Sequence, residues 1–164
     1  AYGSDGSRNA LDRLRKHETL QKISILGIPP EQQLTLFLLE ILPATKVITI
    51  FNPRAENRTD GEARIENGIG KLYGTTEQER VTLYEASLIR YFQPKFNKEF
   101  KNSFPSTNMK VLRDCYKKDF TAIVAEICFD DIPFQLFSET VAPAPYHIIK
   151  HFLHTDEARK SFFA

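Results

Sequence analysis

The sequence predicts a mixed α/β fold, an α+β domain in which a small antiparallel sheet is flanked by helices. Three observations carry that expectation. Thr76 to Phe92 keeps a helical period between a capping pair, Thr76 and Glu79, and the stop signal Pro94. Lys46–Phe51 (KVITIF) and Phe120–Phe129 are rich in the β-branched and aromatic residues that suit strands. A chain of 164 residues that is 41% hydrophobic is long enough to bury one core, as one domain or as a small domain with an extension.

Taken in order, residues 1–8 are a Gly/Ser/Asp loop. Asn9 to Ser24 reads as one amphipathic helix, with Leu11, Leu14, Leu20 and Ile23 on its apolar side and Arg13, Arg15, Lys16 and Lys22 outside or at the edge. Arg13 and His17, four apart, then share a helical face able to bind an anion, although an Arg/Lys-rich helix face commonly serves only as a solvated surface. Pro29-Pro30 opens a second helix to Leu42, apolar on most sides and therefore expected to be buried. After the Lys46–Phe51 strand, the loop Asn52–Gly61 carries Arg54 and Arg58, placed either for solubility or for contact with phosphate. Gly68–Gly74 lacks the Gly-x4-Gly-Lys-Ser/Thr spacing of a phosphate loop and reads as a flexible connector into the helix at Thr76.

Beyond Asn97, the basic loop KEFKNSF leads to a short helix, Thr107–Lys118, with Val111, Leu112, Cys115 and Tyr116 inward. Strands are expected at Phe120–Phe129 and Phe134–Glu139 around the turn Asp130–Pro133. Pro145–Leu153 reads as a helix, followed by a further short one from Thr155. On it His147, His151 and His154 fall at i, i+4 and i+7; this is a polar face or, less simply, three imidazoles for zinc without a companion Cys or carboxylate.

Charge is uneven. Residues 119–164 hold three basic and seven acidic residues, net −4, leaving net +5 on residues 1–118 within an overall +1, so a polyanion is expected to meet the first two thirds. Cys115 and Cys128 have no CxxC spacing and are expected to be small core residues in a reducing compartment. The sequence shows no charged-then-apolar leader pattern and no apolar run near 18 residues; its longest, around Leu34–Leu42, is interrupted by Glu40. A cytoplasmic protein with no membrane partner is expected. The start at Ala1 suggests a piece of a longer polypeptide or an oligomer component.

One residue in the Thr76 helix demands an explanation. Val81, Leu88, Ile89 and Phe92 form an apolar row, and Glu85 lies in its middle. A carboxylate buried there needs an arginine or lysine partner, a shifted pKa or a metal ion.

The run Leu83-Tyr84-Glu85-Ala86-Ser87-Leu88-Ile89, with Gln93-Pro94-Lys95-Phe96-Asn97 after it, resembles the C-terminal signature of the GIY-YIG endonuclease family. The Arg13 to His17 run is similar to that family's first helix, so the match spans about residues 9–97. The resemblance implies a nuclease core over residues 1–106, with 107–164 as an α/β extension packed on it. It implies a DNA endonuclease using Mg²⁺ or Mn²⁺, in restriction or defence, with Glu85 as metal ligand and Arg13, His17, Glu85 and Asn97 as site residues. Arg8, Lys16, Arg54, Arg58, Lys95 and Lys98 are the expected contacts to DNA. The opening hairpin that supplies the family's tyrosine base is not found; Tyr2-Gly3 does not reproduce it. Either that hairpin precedes Ala1, or the domain is a degenerate one that binds nucleic acid or protein without cutting.

Overall fold

The computed structural model describes residues 10–37, 39, 41, 61–106, 108–117, 120, 122–129 and 133–153. In chain order these form α1 (Ala10–Arg15), α2 (Glu18–Leu26), α3 (Gly61–Gly74), α4 (Glu77–Phe92), α5 (Lys110–Lys117), β1 (Ala122–Cys128) and β2 (Tyr146–Phe152). Helices and a two-stranded antiparallel sheet make this a mixed α/β structure.

The sheet is set by the period-2 pattern of its two strands. Ala125 pairs with Ile149 and Ile127 with His147, and these four side chains are buried on one face. Val124, Glu126, Cys128, Tyr146, Ile148, Lys150 and Phe152 lie exposed on the other. Helix α4 packs on the buried face of both strands, and Tyr84 Oη donates 2.9 Å to the Glu126 carbonyl across that contact. A core cluster of Ala86, Phe104, Val111, Leu112, Cys115 and Leu153 then joins α4, α5 and the end of β2. The Val111, Leu112 and Cys115 positions expected to face inward on α5 do so, and Tyr116 packs partly buried against them.

Several elements differ from the sequence expectation. Pro145–Leu153 is a strand, because Tyr146 to Phe152 alternates exposed and buried at every step. The expected Phe134–Glu139 strand is reduced to one bridge, Leu136 with Ala144, closed by reciprocal backbone hydrogen bonds of 3.2 and 3.3 Å. Cys128 is exposed on the outer sheet face, whereas Cys115 is buried as expected, and neither is in a disulfide.

The Gly68–Gly74 segment is not a connector but the second half of α3. Each glycine costs a helix about 1 kcal/mol relative to alanine, and the i, i+4, i+8 stripe of Ile65, Ile69 and Tyr73 is exposed. Lys71 Nζ also ties the helix to Asp114 Oδ2 of α5 at 3.1 Å.

The helix expected over Asn9–Ser24 is broken into α1 and α2, with His17 extended (φ −79°, ψ 108°) between them. Neither the packing nor the cap enforces a continuous helix: α2 buries no residue, and His17 makes no side-chain cap bond. Of the helix expected at Pro30–Leu42, the described residues keep only a turn, in which Gln32 N–H donates 2.8 Å to the Pro29 carbonyl. Consecutive prolines bias Pro29 away from helical backbone and remove two donors. Leu34, Leu36 and Leu39 are exposed, contrary to the burial expected, and Phe37 reaches the sheet region by edge contacts to Phe129 and Phe134. The Lys46–Phe51 strand, the Asn52–Asp60 part of the Arg-bearing loop, His154 and the helix expected from Thr155 lie outside the described residues.

Candidate functional site

Helix α4 positions most of the candidate residues, and its ends explain why it forms. Thr76 Oγ1 accepts 3.2 Å from the Glu79 N–H, while Glu79 Oε2 accepts 2.9 Å from the Thr76 N–H, so the capping box is complete. At the other end Gln93 adopts the left-handed conformation (φ 50°, ψ 44°), and its N–H donates 3.0 Å to the Ile89 carbonyl. The Gln93 side-chain amide donates to the carbonyls of Arg90 (2.6 Å) and Lys101 (2.9 Å), stitching the helix end to the following loop. Pro94–Asn97 is a turn closed by the Asn97 backbone N–H, 3.1 Å from the Pro94 carbonyl.

The expected burial of Glu85 is corrected. Glu85 is exposed, and no described residue pairs with it. The buried residues of α4 are Ala86, Ser87 and Ile89, with Leu83 packed on the core cluster, while Val81, Leu88 and Phe92 are only half-buried. At 100° per residue, Glu85 stands roughly opposite Leu83. The core contact is made by the small residues Ala86 and Ser87, which let the sheet approach closely. Of the larger apolar row that suggested a buried Glu85, only Ile89 is buried.

The structure places the other expected site residues as follows. Arg13 lies on α1, and its side chain is outside the description. His17 is the residue before α2, so the continuous helical face expected for Arg13 and His17 is interrupted between them. The His17 Nδ1 atom is buried without a hydrogen-bond partner. Lys16, Lys95 and Lys98 are exposed, and Lys95 Nζ sits 6.0 Å from the Phe96 ring centroid. Arg8, Arg54 and Arg58 lie outside the described residues.

Two buried histidines on β2, assigned to a helix face from sequence, instead hold α4 to the sheet. Ser87 Oγ lies 2.8 Å from His151 Nε2, and the Phe104 ring meets the imidazole edge-on at 4.9 Å. Burial pushes the His151 pKa below its ordinary value, hydrogen bonding at Ser87 opposes this, and the Arg90 charge adds to the lowering. Because Ser87 is fully buried, this Ser–His contact is structural; no substrate reaches the hydroxyl.

His147 Nε2 lies 3.0 Å from the Leu136 carbonyl, which can only accept, so Nε2 carries the proton. In the neutral ring Nδ1 then accepts from Tyr91 Oη at 3.3 Å.

A metal ion at Glu85 would find one exposed carboxylate. Mg²⁺ is compatible with that, since it commonly takes one or two carboxylates and completes its shell with water and substrate phosphate. Among the described residues no three His, Cys, Asp or Glu side chains cluster as a metal cage, and His147 and His151 have the partners just described.

Beside the C-terminal end of α4 is an open cleft of about 520 Å³, bounded by Arg90, Tyr91, Phe104, Lys150 and Phe152 among others. Sequence reasoning missed it because its parts come from a helix end, a loop and a strand read as helix. No family model, curated protein or solved structure matches this chain.

Proposed function

We propose that the chain is a DNA-directed domain of the GIY-YIG kind, a metal-dependent endonuclease in which Glu85 holds Mg²⁺ or Mn²⁺ against a backbone phosphate. The observation that carries the reading is the state of Glu85: exposed at mid-helix on a rigidly capped α4, and paired with no described residue. An exposed carboxylate fixed on a helix can offer its oxygens to a cation without first breaking an ion pair. The capped helix followed by the Pro94–Asn97 turn is the element on which the sequence resemblance rests.

In this reading the bound ion acts as a Lewis acid that stabilises charge developing on the phosphate oxygens. Glu85 anchors it, and Arg13 supplies a second positive charge to the same phosphate. Lys16, Lys95 and Lys98, all exposed, hold the neighbouring phosphates and set orientation without reading sequence. Binding then weakens steeply with salt, because each neutralised phosphate releases a counterion.

A second reading, nucleic-acid binding without cleavage, is favoured by one observation: Tyr2-Gly3 does not reproduce the tyrosine motif that supplies the family's base. Cleavage of plasmid and single-stranded DNA with Mg²⁺ or Mn²⁺ decides between the two. The nuclease reading expects metal-dependent cleavage that Glu85→Gln lowers by at least about 100-fold, the scale of losing one charge stabiliser, with DNA affinity retained. Binding without cleavage in the parent chain assigns the second reading. Absence of binding at low salt sinks both.

A further inference from the structure

The backbone of β2 has an open edge. Phe129 N–H donates 2.8 Å to the Pro145 carbonyl, one step beyond the Cys128–Tyr146 pair, and this sets the phase of the antiparallel ladder. Opposed residues alternate between pairs that exchange backbone hydrogen bonds and pairs whose N–H and C=O groups point away from each other. From Phe129–Pro145 inward, Ile127–His147 and Ala125–Ile149 are of the first kind, Glu126–Ile148 and Val124–Lys150 of the second. The Tyr84 hydroxyl agrees with this phase, since it reaches a Glu126 carbonyl that is turned away from β2. On β1, then, an outward carbonyl is taken by α4. On β2 the outward N–H and C=O groups of Ile148 and Lys150 meet no partner among the described residues.

The cleft beside α4 lies along that edge. Lys150 and Phe152 are on the outer face of the sheet and Arg90 is on α4, against the inner face, yet all three border the same cleft. Only the rim of β2 separates the two faces there, and no residue of β1 borders the cleft. Both charged side chains along it are cationic, and neither has an acidic partner among the described residues. Arg90 is held by donating to the Lys101 carbonyl and to Asn102 Oδ1 (3.3 Å), neutral acceptors that leave its charge uncompensated. The one acid of the sheet, Glu126, stands on β1, a strand away from the edge. A flat, open, polar rim of this kind suits main-chain pairing, in which successive side chains of an added strand go to opposite faces. Two neighbouring residues of such a strand meet Lys150 on one side and Arg90 on the other.

We propose that the β2 edge takes an acidic peptide as a third strand. Its backbone bonds to Ile148 and Lys150, one carboxylate faces Lys150 on the outer side, and the next faces Arg90 on the inner side. Main-chain bonds supply affinity and the two cations select the sequence. A second copy of this chain is the poorer occupant, because edge-to-edge pairing brings the same cations together, and an edge lysine guards against it. The proposal depends on neither the metal nor the DNA reading.

The test is NMR of the isotope-labelled full chain titrated with the end-capped hexapeptide TVEEVT. In the free chain the Ile148 and Lys150 amide protons exchange fast; with the peptide bound they slow by at least about tenfold, while His147 and Ile149, already bonded to β1, stay as they were. The charge-reversed TVKKVT, and TVEEVT N-methylated at both glutamates to remove an N–H from each of its edges, are expected not to bind. Lys150→Gln should weaken TVEEVT by about 2- to 5-fold, the scale of one exposed ion pair. Ile148→Pro removes one outward donor and leaves the bonds to β1, and should weaken it by about 2- to 10-fold. Circular dichroism checks that both variants fold, and the peptide variants test the pairing without altering the chain. Equal binding of the N-methylated peptide or of TVKKVT overturns the proposal, as does the absence of any shift with TVEEVT. Slow exchange of Ile148 and Lys150 in the free chain, at all concentrations or only at high ones, shows the edge filled by this chain or by a second copy and overturns it too. Shifts at Lys150 with a DNA duplex but not with TVEEVT assign the cations to nucleic acid and have the same consequence.

Discussion

Helices α2 and α4 differ in what holds them, and the difference separates two regions of the molecule. Helix α4 has a complete capping box, a left-handed C-cap and three buried residues, and it is bonded to both strands through Tyr84, Ser87 and Tyr91. Helix α2 has no side-chain cap and buries nothing; Ile25 and Leu26 at its end are 84% and 70% exposed. Similar amphipathic sequences thus end as a packed structural element and as a helix resting largely on its own propensity. A helix that short is marginal in water without a tertiary partner. The residue on which the proposed function turns, the exposed Glu85, sits on the packed element.

The largest expected effect breaks the packed side. Leu112 is fully buried in the core cluster beside Ala86 and Leu153, so Leu112→Ala should cost about 2–5 kcal/mol in urea unfolding, from lost burial plus the cavity left behind. Leu26→Ala in α2 should stay within about 0.5 kcal/mol of the parent. Equal losses at the two sites would erase the distinction.

The next effect is smaller and depends on pH. His151 is held neutral between Ser87, Phe104 and Arg90, with its folded pKa below the ordinary 6.5. The unfolded chain therefore binds this proton more readily than the folded one. Stability is unaffected above the unfolded pKa, declines as pH falls through 6.5, and levels off below the folded pKa. His151→Gln should flatten that part of the pH dependence of the urea midpoint. A profile identical to the parent's would show that His151 titrates alike in both states.

The same contrast explains what could be read from the sequence. The α4 boundaries were legible because Thr76, Glu79 and Pro94 are local signals with local causes. The β1 strand was legible because Ala122–Cys128 carries the β-branched Ile123, Val124 and Ile127 and a single charged residue, Glu126. Segment 146–152 was misread because His147 and His151 are four apart, and four residues return to the same face in a strand as they nearly do in a helix. Ile148 and Lys150 held the deciding information: they are exposed and alternate with the buried His147, Ile149 and His151, a period of two that a helix does not keep. The site was less legible than the fold. Glu85 was singled out because large apolar neighbours were taken as the core face, but Ala86 and Ser87, inconspicuous in a hydropathy reading, are what the sheet covers. The break at His17 goes with the lack of a buried face on α2, a tertiary fact that no window of sequence contains.

The central claim is that Glu85 anchors a divalent cation, and Mn²⁺ titration followed by amide NMR line broadening tests it most directly. The account predicts paramagnetic broadening centred on the amides around Glu85, covering Thr82 and Leu88 on the adjacent turns, and its disappearance in Glu85→Gln under the same conditions. Broadening centred elsewhere, or broadening that Glu85→Gln leaves unchanged, would contradict it.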